Sequence, residues 1–200
     1  MSQVVNLNCP GCGAPASTSQ EQCVYCKRPI VITSFSCTQT MSPLELNKYA
    51  SAYRKELAEN PDNRELNMSI AFCYLKLKLY DKALPTFEKA IEDNFDNSEA
   101  FFYTAVCLLK GQKAFVASRA NIDKAEEYIN AALMIEPREI YYFFQAYIKY
   151  DYFHRKHLNT TPTWEEALQT AIHAQIPQAD IPQLFEILQV EIPASFFYKS

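Results

Sequence analysis

The spacing of small and large residues constrains this chain most. Ala83, Phe87, Ala90 and Phe95 follow one another at intervals of four, three and five residues, and Ala125, Ile129, Ala132 and Pro137 repeat those intervals. Upstream, the pair Ala71 and Tyr74 matches the pair Ala105 and Leu108. A third, looser copy sets Ala146 ahead of Ala167, Ala171 and Ala174. Residues three and four apart share one helix face, so each copy reads as two antiparallel helices. A small residue on each helix lets them approach closely, and a large residue one turn on fills the gap to the next pair. One such hairpin cannot bury its own apolar face, so repetition implies stacking. The composition agrees. Three glycines in 200 residues are too few for a phosphate-cradling loop or a series of tight β-hairpins. A net charge of −4 gives no global pull toward nucleic acid or anionic membrane.

These positions resemble the tetratricopeptide repeat. Its small–large–small signature falls on Ala71, Tyr74, Tyr80, Ala83, Phe87 and Ala90, then on Ala105, Leu108, Ala125, Ile129, Ala132 and Pro137. The resemblance implies a mostly α, helical-hairpin solenoid over residues 44–190. Ser42-Pro43-Leu44-Glu45 is a helix start with Pro at N1 and Glu at N3, and residues 44–60 read as a capping half-repeat before Pro61. Phe95 stands where the family's first repeat closes with proline. Pro85 falls in the first turns of a helix that Asp81 is expected to cap. The helix-to-helix interval is 12 residues in the first copy (71 to 83), 20 in the second (105 to 125) and 21 in the third (146 to 167), so two insertions decorate one edge. The second ends in Thr163-Trp164-Glu165-Glu166, a capping box.

The N-terminal region obeys different rules. Cys9-Pro10-Gly11-Cys12 and Cys23-Val24-Tyr25-Cys26 are two CxxC knuckles separated by ten residues. Each knuckle aims two thiolates at one ion, and four soft ligands suit tetrahedral zinc. The segment CPGCGAP…CVYCKRP resembles a CPxCG-type zinc ribbon with a short β-hairpin, with Lys27 in place of the usual second glycine. Ile30-Val31-Ile32-Thr33 reads as a strand. The resulting division is a ribbon at 1–36, a linker at 37–43, the helical domain at 44–190, with a last helix at 181–190, and an apolar tail at 191–200. Cys37 reads as a free linker thiol; Cys73 and Cys107 share a repeat position and read as core. Seven cysteines, an odd number, favour metal over disulfides and a reducing cytoplasm. The start lacks a secretory pattern, and no apolar run is long enough for a membrane span.

The resemblance also implies a concave face built from the first helix of each pair. It would carry Met68, Phe72 and Leu75, then Phe102, Val106 and Leu109, then Phe143 and Tyr147. The positions of the family's carboxylate clamp hold Met68, Phe72 and Tyr103, which argues against that clamp. An apolar face suits a protein or peptide partner such as an amphipathic helix, or the chain's own tail Ile192–Tyr198. The inserted edge carries Lys110, Lys113, Arg119, Arg155 and Lys156 beside aromatic residues, compatible with nucleic acid or with a solvated loop. His154 and His157 have no Cys or carboxylate at ligand spacing. No catalytic constellation is evident. The expected function is a non-catalytic adaptor with one structural Zn2+; the alternative is a nucleic-acid-associated factor. Oligomeric state stays open.

Overall fold

The computed structural model describes residues 4–92, 95–177 and 179–196. The chain divides into two compact units, Met1–Asn94 and Phe95–Ser200. In the first, β1 (Asn6–Asn8) pairs antiparallel with β2 (Pro15–Ser17), Leu7 lying opposite Ala16. An isolated bridge joins Gln22 to Pro29 around the second knuckle. A 3-10 turn at Phe35–Thr38 leads into α1 (Pro43–Glu59), α2 (Arg64–Lys76) and α3 (Tyr80–Ile91). The Ser42 side chain accepts a hydrogen bond from the Glu45 amide, and the Glu45 carboxylate accepts one from the Ser42 amide. That reciprocal cap satisfies two donors that a helix start leaves unpaired. Asn63 caps α2 in the same sense, accepting from Leu66 N–H.

The alanine spacing does what close approach requires. Ala71, Ala83 and Ala90 are fully buried, and Phe72 meets Phe87 edge-on at 5.5 Å between ring centres. Two expectations are corrected. No strand forms at 30–33; Ile30 and Ile32 are fully buried, the Ile30 N–H donates to the Glu21 carbonyl at 3.1 Å, and the Ile30 carbonyl and the Ile32 backbone bond the helix side chains Tyr53 and Ser69. Asp81 does not cap α3, which begins at Tyr80 after Leu79, so Pro85 is its sixth residue. Proline has no N–H to complete that turn, and its exposed position spares the core. Within residues 37–43, expected to be a linker, Thr38 is buried.

The second unit holds α4 (Ser98–Leu108), a 3-10 turn at Ala114–Val116, α5 (Arg119–Ile135) and α6 (Glu139–Ile148). A π turn at Lys149–Phe153 and a 3-10 turn at His154–Lys156 prolong α6. Then come α7 (Trp164–His173), α8 (Asp180–Leu188) and a last turn at Ala194–Phe196. The α7 capping box forms as its sequence requires, with Thr163 and Glu166 exchanging bonds. Phe196 stacks on Trp164, with 5.8 Å between ring centres, and meets Phe143 edge-on at 5.3 Å. The remainder of the expected apolar tail, Phe197 to Ser200, lies outside the described residues.

Glycine scarcity does not mean a shortage of left-handed turns. Lys78, His157, Gln175 and Gln189 all take φ between 54° and 63° just past a helix or helical turn. Each precedes an amide that reaches back over the turn, as Leu79 N–H does to the Tyr74 carbonyl at 2.8 Å and Leu158 N–H to Phe153 at 2.9 Å. A side chain in that conformation costs about 1 kcal/mol. At α4 the close takes two left-handed residues in succession, Lys110 at φ 51° and Gly111 at φ 70°. Among the described residues, no helix is long and apolar enough to cross a membrane.

Truncating Phe87 to alanine removes the ring between α3 and Phe72 and is expected to cost about 3–5 kcal/mol in urea unfolding. Met134→Ala, at a side chain 88% exposed, is expected to change stability by less than about 0.5 kcal/mol.

Candidate metal centre and repeat faces

The two knuckles are built alike. In the first, Gly13 N–H donates to the Cys9 carbonyl at 2.8 Å and Cys9 N–H to Ala14 at 2.7 Å. In the second, Lys27 N–H donates to Cys23 at 2.9 Å and Cys23 N–H to Arg28 at 2.8 Å. Gly13 has φ 80° and Lys27 has φ 60°, so lysine adopts the left-handed turn that glycine takes in the first knuckle. Gly11 is required for a different reason: a Cβ there would lie 2.9 Å from Arg28 Cδ and 3.3 Å from Cys26 Sγ. Arg28 in turn pairs with Glu45 at 2.7 Å, joining the second knuckle to the cap of α1.

The four sulfurs of Cys9, Cys12, Cys23 and Cys26 lie within 4.8 Å of one another. Cys9 and Cys26 are 3.6 Å apart, and Cys12 and Cys23 are 3.7 Å apart. Thiolates about 2.3 Å from a tetrahedral ion would be spaced by roughly 3.8 Å, so the cluster fits a metal ion. Amide donation from Cys26 and Tyr25 pulls the Cys23 thiol down to about 6, favouring the thiolate, while burial pushes the Cys9 thiol up to about 12. Cys37 stands outside the cluster, its sulfur 3.4 Å from Ser34 Oγ. Cys73 and Cys107 are fully buried.

Of the two occupants expected for the apolar face, a partner or the chain itself, the structure places the chain itself there. Met68, Phe72, Leu75, Phe102, Val106, Leu109, Phe143 and Tyr147 are all buried, the most exposed being Met68 at 7%. Their neighbours belong to the chain itself. Phe35 lies on Phe72 at 6.4 Å, Tyr141 stacks on Phe102 at 4.6 Å, and Phe185 of α8 meets Phe143 and Tyr147 at 6.2 and 5.3 Å. The physical reason is the size of these side chains: a row of aromatic and branched residues left wet would forfeit about 1.5–3 kcal/mol each.

The expected basic edge is largely consumed by packing between the two insertions. The Asp151 carboxylate accepts from Phe115 N–H at 2.8 Å and from the Arg155 guanidinium. Arg155 and Lys156 lie over the Phe115 ring at 4.5 and 5.0 Å, and Lys156 lies 3.7 Å from the centre of Tyr152. Arg119 covers Phe153 and pairs with Asp123. Lys110 and Lys113 are exposed. Buried Lys149, unanticipated, pairs with Glu126 and donates to Thr160 Oγ1 at 2.6 Å. The two insertions therefore do share one edge, clasped by the cation–π contacts on Phe115 and the Phe115 N–H to Asp151 hydrogen bond. His154 is spent as well, stacking on Tyr150 at 5.6 Å.

A family model for the tetratricopeptide repeat matches residues 65–97, which span α2 and α3. Residues 65–97 are therefore similar to a tetratricopeptide repeat. Its fold is similar to that of MamA AMB-1, with a TM-score of 0.51 and 19% identity over 74% of this chain and 74% of that one. MamA MSR-1 gives a TM-score of 0.43 and 19% identity over 70% of this chain and 68% of that one. No curated protein matches in sequence. The matched tetratricopeptide repeat is the copy without an insertion.

Gly11→Ala is expected to weaken metal retention about tenfold or more in a chelator competition, because its Cβ would displace Arg28 or a ligand. Lys27→Gly should bind metal as before and gain up to about 1 kcal/mol of stability. Asp151→Asn is expected to lower the stability of the second unit by about 1–3 kcal/mol in thermal melts.

Proposed function

We propose that this protein is a non-catalytic adaptor that docks an extended segment of a partner protein, with a zinc-stapled ribbon as its second module. The observation that carries the reading is the stripe on α2. It already holds a non-helical stretch followed by a 3-10 turn, residues 30–39, by hydrogen bonds between the Ile32 backbone and Ser69 and by an aromatic contact at Phe72. A helical repeat that grips a short segment of chain in this way has the chemistry of peptide recognition.

Zinc suits the four-thiolate set, and four protein ligands leave no open coordination position, which makes its role structural. When bound, it would supply the cross-link that about 30 residues with a few buried apolar side chains cannot supply for themselves. Lys27 and Arg28 sit beside the cluster and offset its negative charge. Val24 and Tyr25, exposed by 58% and 73% at the tip of the second knuckle, give the ribbon an apolar contact point. The nucleic-acid alternative is weakened because Arg119, Arg155 and Lys156 already engage side chains of the chain.

Elemental analysis of purified protein is expected to give one zinc per chain, and a chain folded with no metal would refute the ribbon. Affinity capture from the native host with cross-link mapping tests docking. The expected result is a protein partner cross-linked to the first unit and insensitive to nuclease. Recovery of nuclease-sensitive material alone would contradict the adaptor reading.

A further inference from the structure

We infer that residues Pro29–Gln39 form a strap that masks the peptide-holding stripe of α2, so that the stripe is opened by displacement of the strap. This rests on the adaptor reading and adds its regulation. Three contacts define the strap. Ile32 N–H donates to Ser69 Oγ at 3.1 Å, and Ser69 Oγ, which also donates to the Glu65 carbonyl, lies 3.1 Å from the Ile32 carbonyl. The Phe35 ring lies on Phe72 at 6.4 Å. Lys76 Nζ donates to Gln39 Oε1 at 3.3 Å. Ser69, Phe72 and Lys76 are spaced i, i+3 and i+7, a single stripe of the helix. The strap residues 32, 35 and 39 follow in the same order, so strap and helix run parallel.

The strap behaves as a ligand would. Ile30 and Ile32 point their side chains inward two residues apart, and Phe35 follows. Its start is held from outside the stripe: Tyr49 OH donates to the Pro29 carbonyl at 3.0 Å and Tyr53 OH to Ile30 at 2.8 Å. Arg28, one residue earlier, is tied to Glu45. The strap therefore begins at the second knuckle, three residues after Cys26, and ends three residues before Ser42, the N-cap of α1. Tethered through residues 40–42 to α1 and held at its start by Arg28, Tyr49 and Tyr53, it acts at an effective concentration on the order of millimolar. A partner segment of the same chemistry, with apolar residues at i and i+2 and an aromatic three residues on, must compete against that concentration.

The test uses the full chain with a protease site inserted at exposed Thr40 and cut after folding. The probe is a fluorescent peptide of residues 29–39 carrying Cys37→Ser, with a control peptide carrying Ile32→Asp and Phe35→Asp. Cutting removes the covalent tether to α1, so the nicked chain is expected to bind the probe at least tenfold more tightly than the uncut chain, with the control peptide at the uncut level. Circular dichroism on the same samples should show the helices retained. Equal binding before and after cutting, equal binding of the control, or loss of helical signal on cutting would each overturn the strap, the last by showing the stripe to be folding core alone. Partner capture by the uncut chain separates the two ideas. If it captures a protein at the first unit while cutting changes nothing, the adaptor reading survives and the strap does not.

Discussion

A helical hairpin closed by alanine contacts has two apolar faces and hides only one of them. Everything else in this chain answers that constraint. In the first unit the second face of α2 is covered by residues 30–39, reached through a ribbon of four cysteines. In the second unit α8 and Phe196 cover α6 through Phe143 and Tyr147. The large side chains that make these faces attractive to a partner also make them costly to leave wet, so the chain supplies cover from both of its ends.

The ribbon is thus more than an appendage. Its second knuckle sets where Arg28, Pro29 and Ile30 begin, and three helix side chains, Glu45, Tyr49 and Tyr53, receive them. The proposed zinc would hold the knuckles rigid and so fix the start of the strap. The two insertions of the second unit solve a similar problem by another route. They lengthen the connections between paired helices, and then clasp each other through Asp151, Arg155 and Phe115.

Much of this was legible in the sequence, because its signals are local. The alanine intervals located the hairpins, the two capping boxes marked the starts of α1 and α7, and CxxC spacing named the four clustered cysteines. What failed were readings that depended on long-range partners. Alternation at Ile30 and Ile32 is the pattern of a strand, and only the tertiary fold shows that the backbone partner is Ser69, 37 residues on. Apolar residues on the first helices left a partner and the chain's own tail as alternative readings, because burial by the chain's own segments leaves no mark on the helices themselves; Phe196 against Phe143 is that tail. The basic edge misled similarly, since a lysine over a tyrosine ring and a solvated lysine look the same in sequence.

Hydrogen exchange on the zinc-loaded chain, before and after chelation, tests the central claim most directly. If the ribbon holds the strap on α2, chelation removes protection from the amides of residues 30–39, Ile32 above all, while α4 to α8 keep theirs. Unchanged protection at Ile32 after the metal is gone would contradict the account.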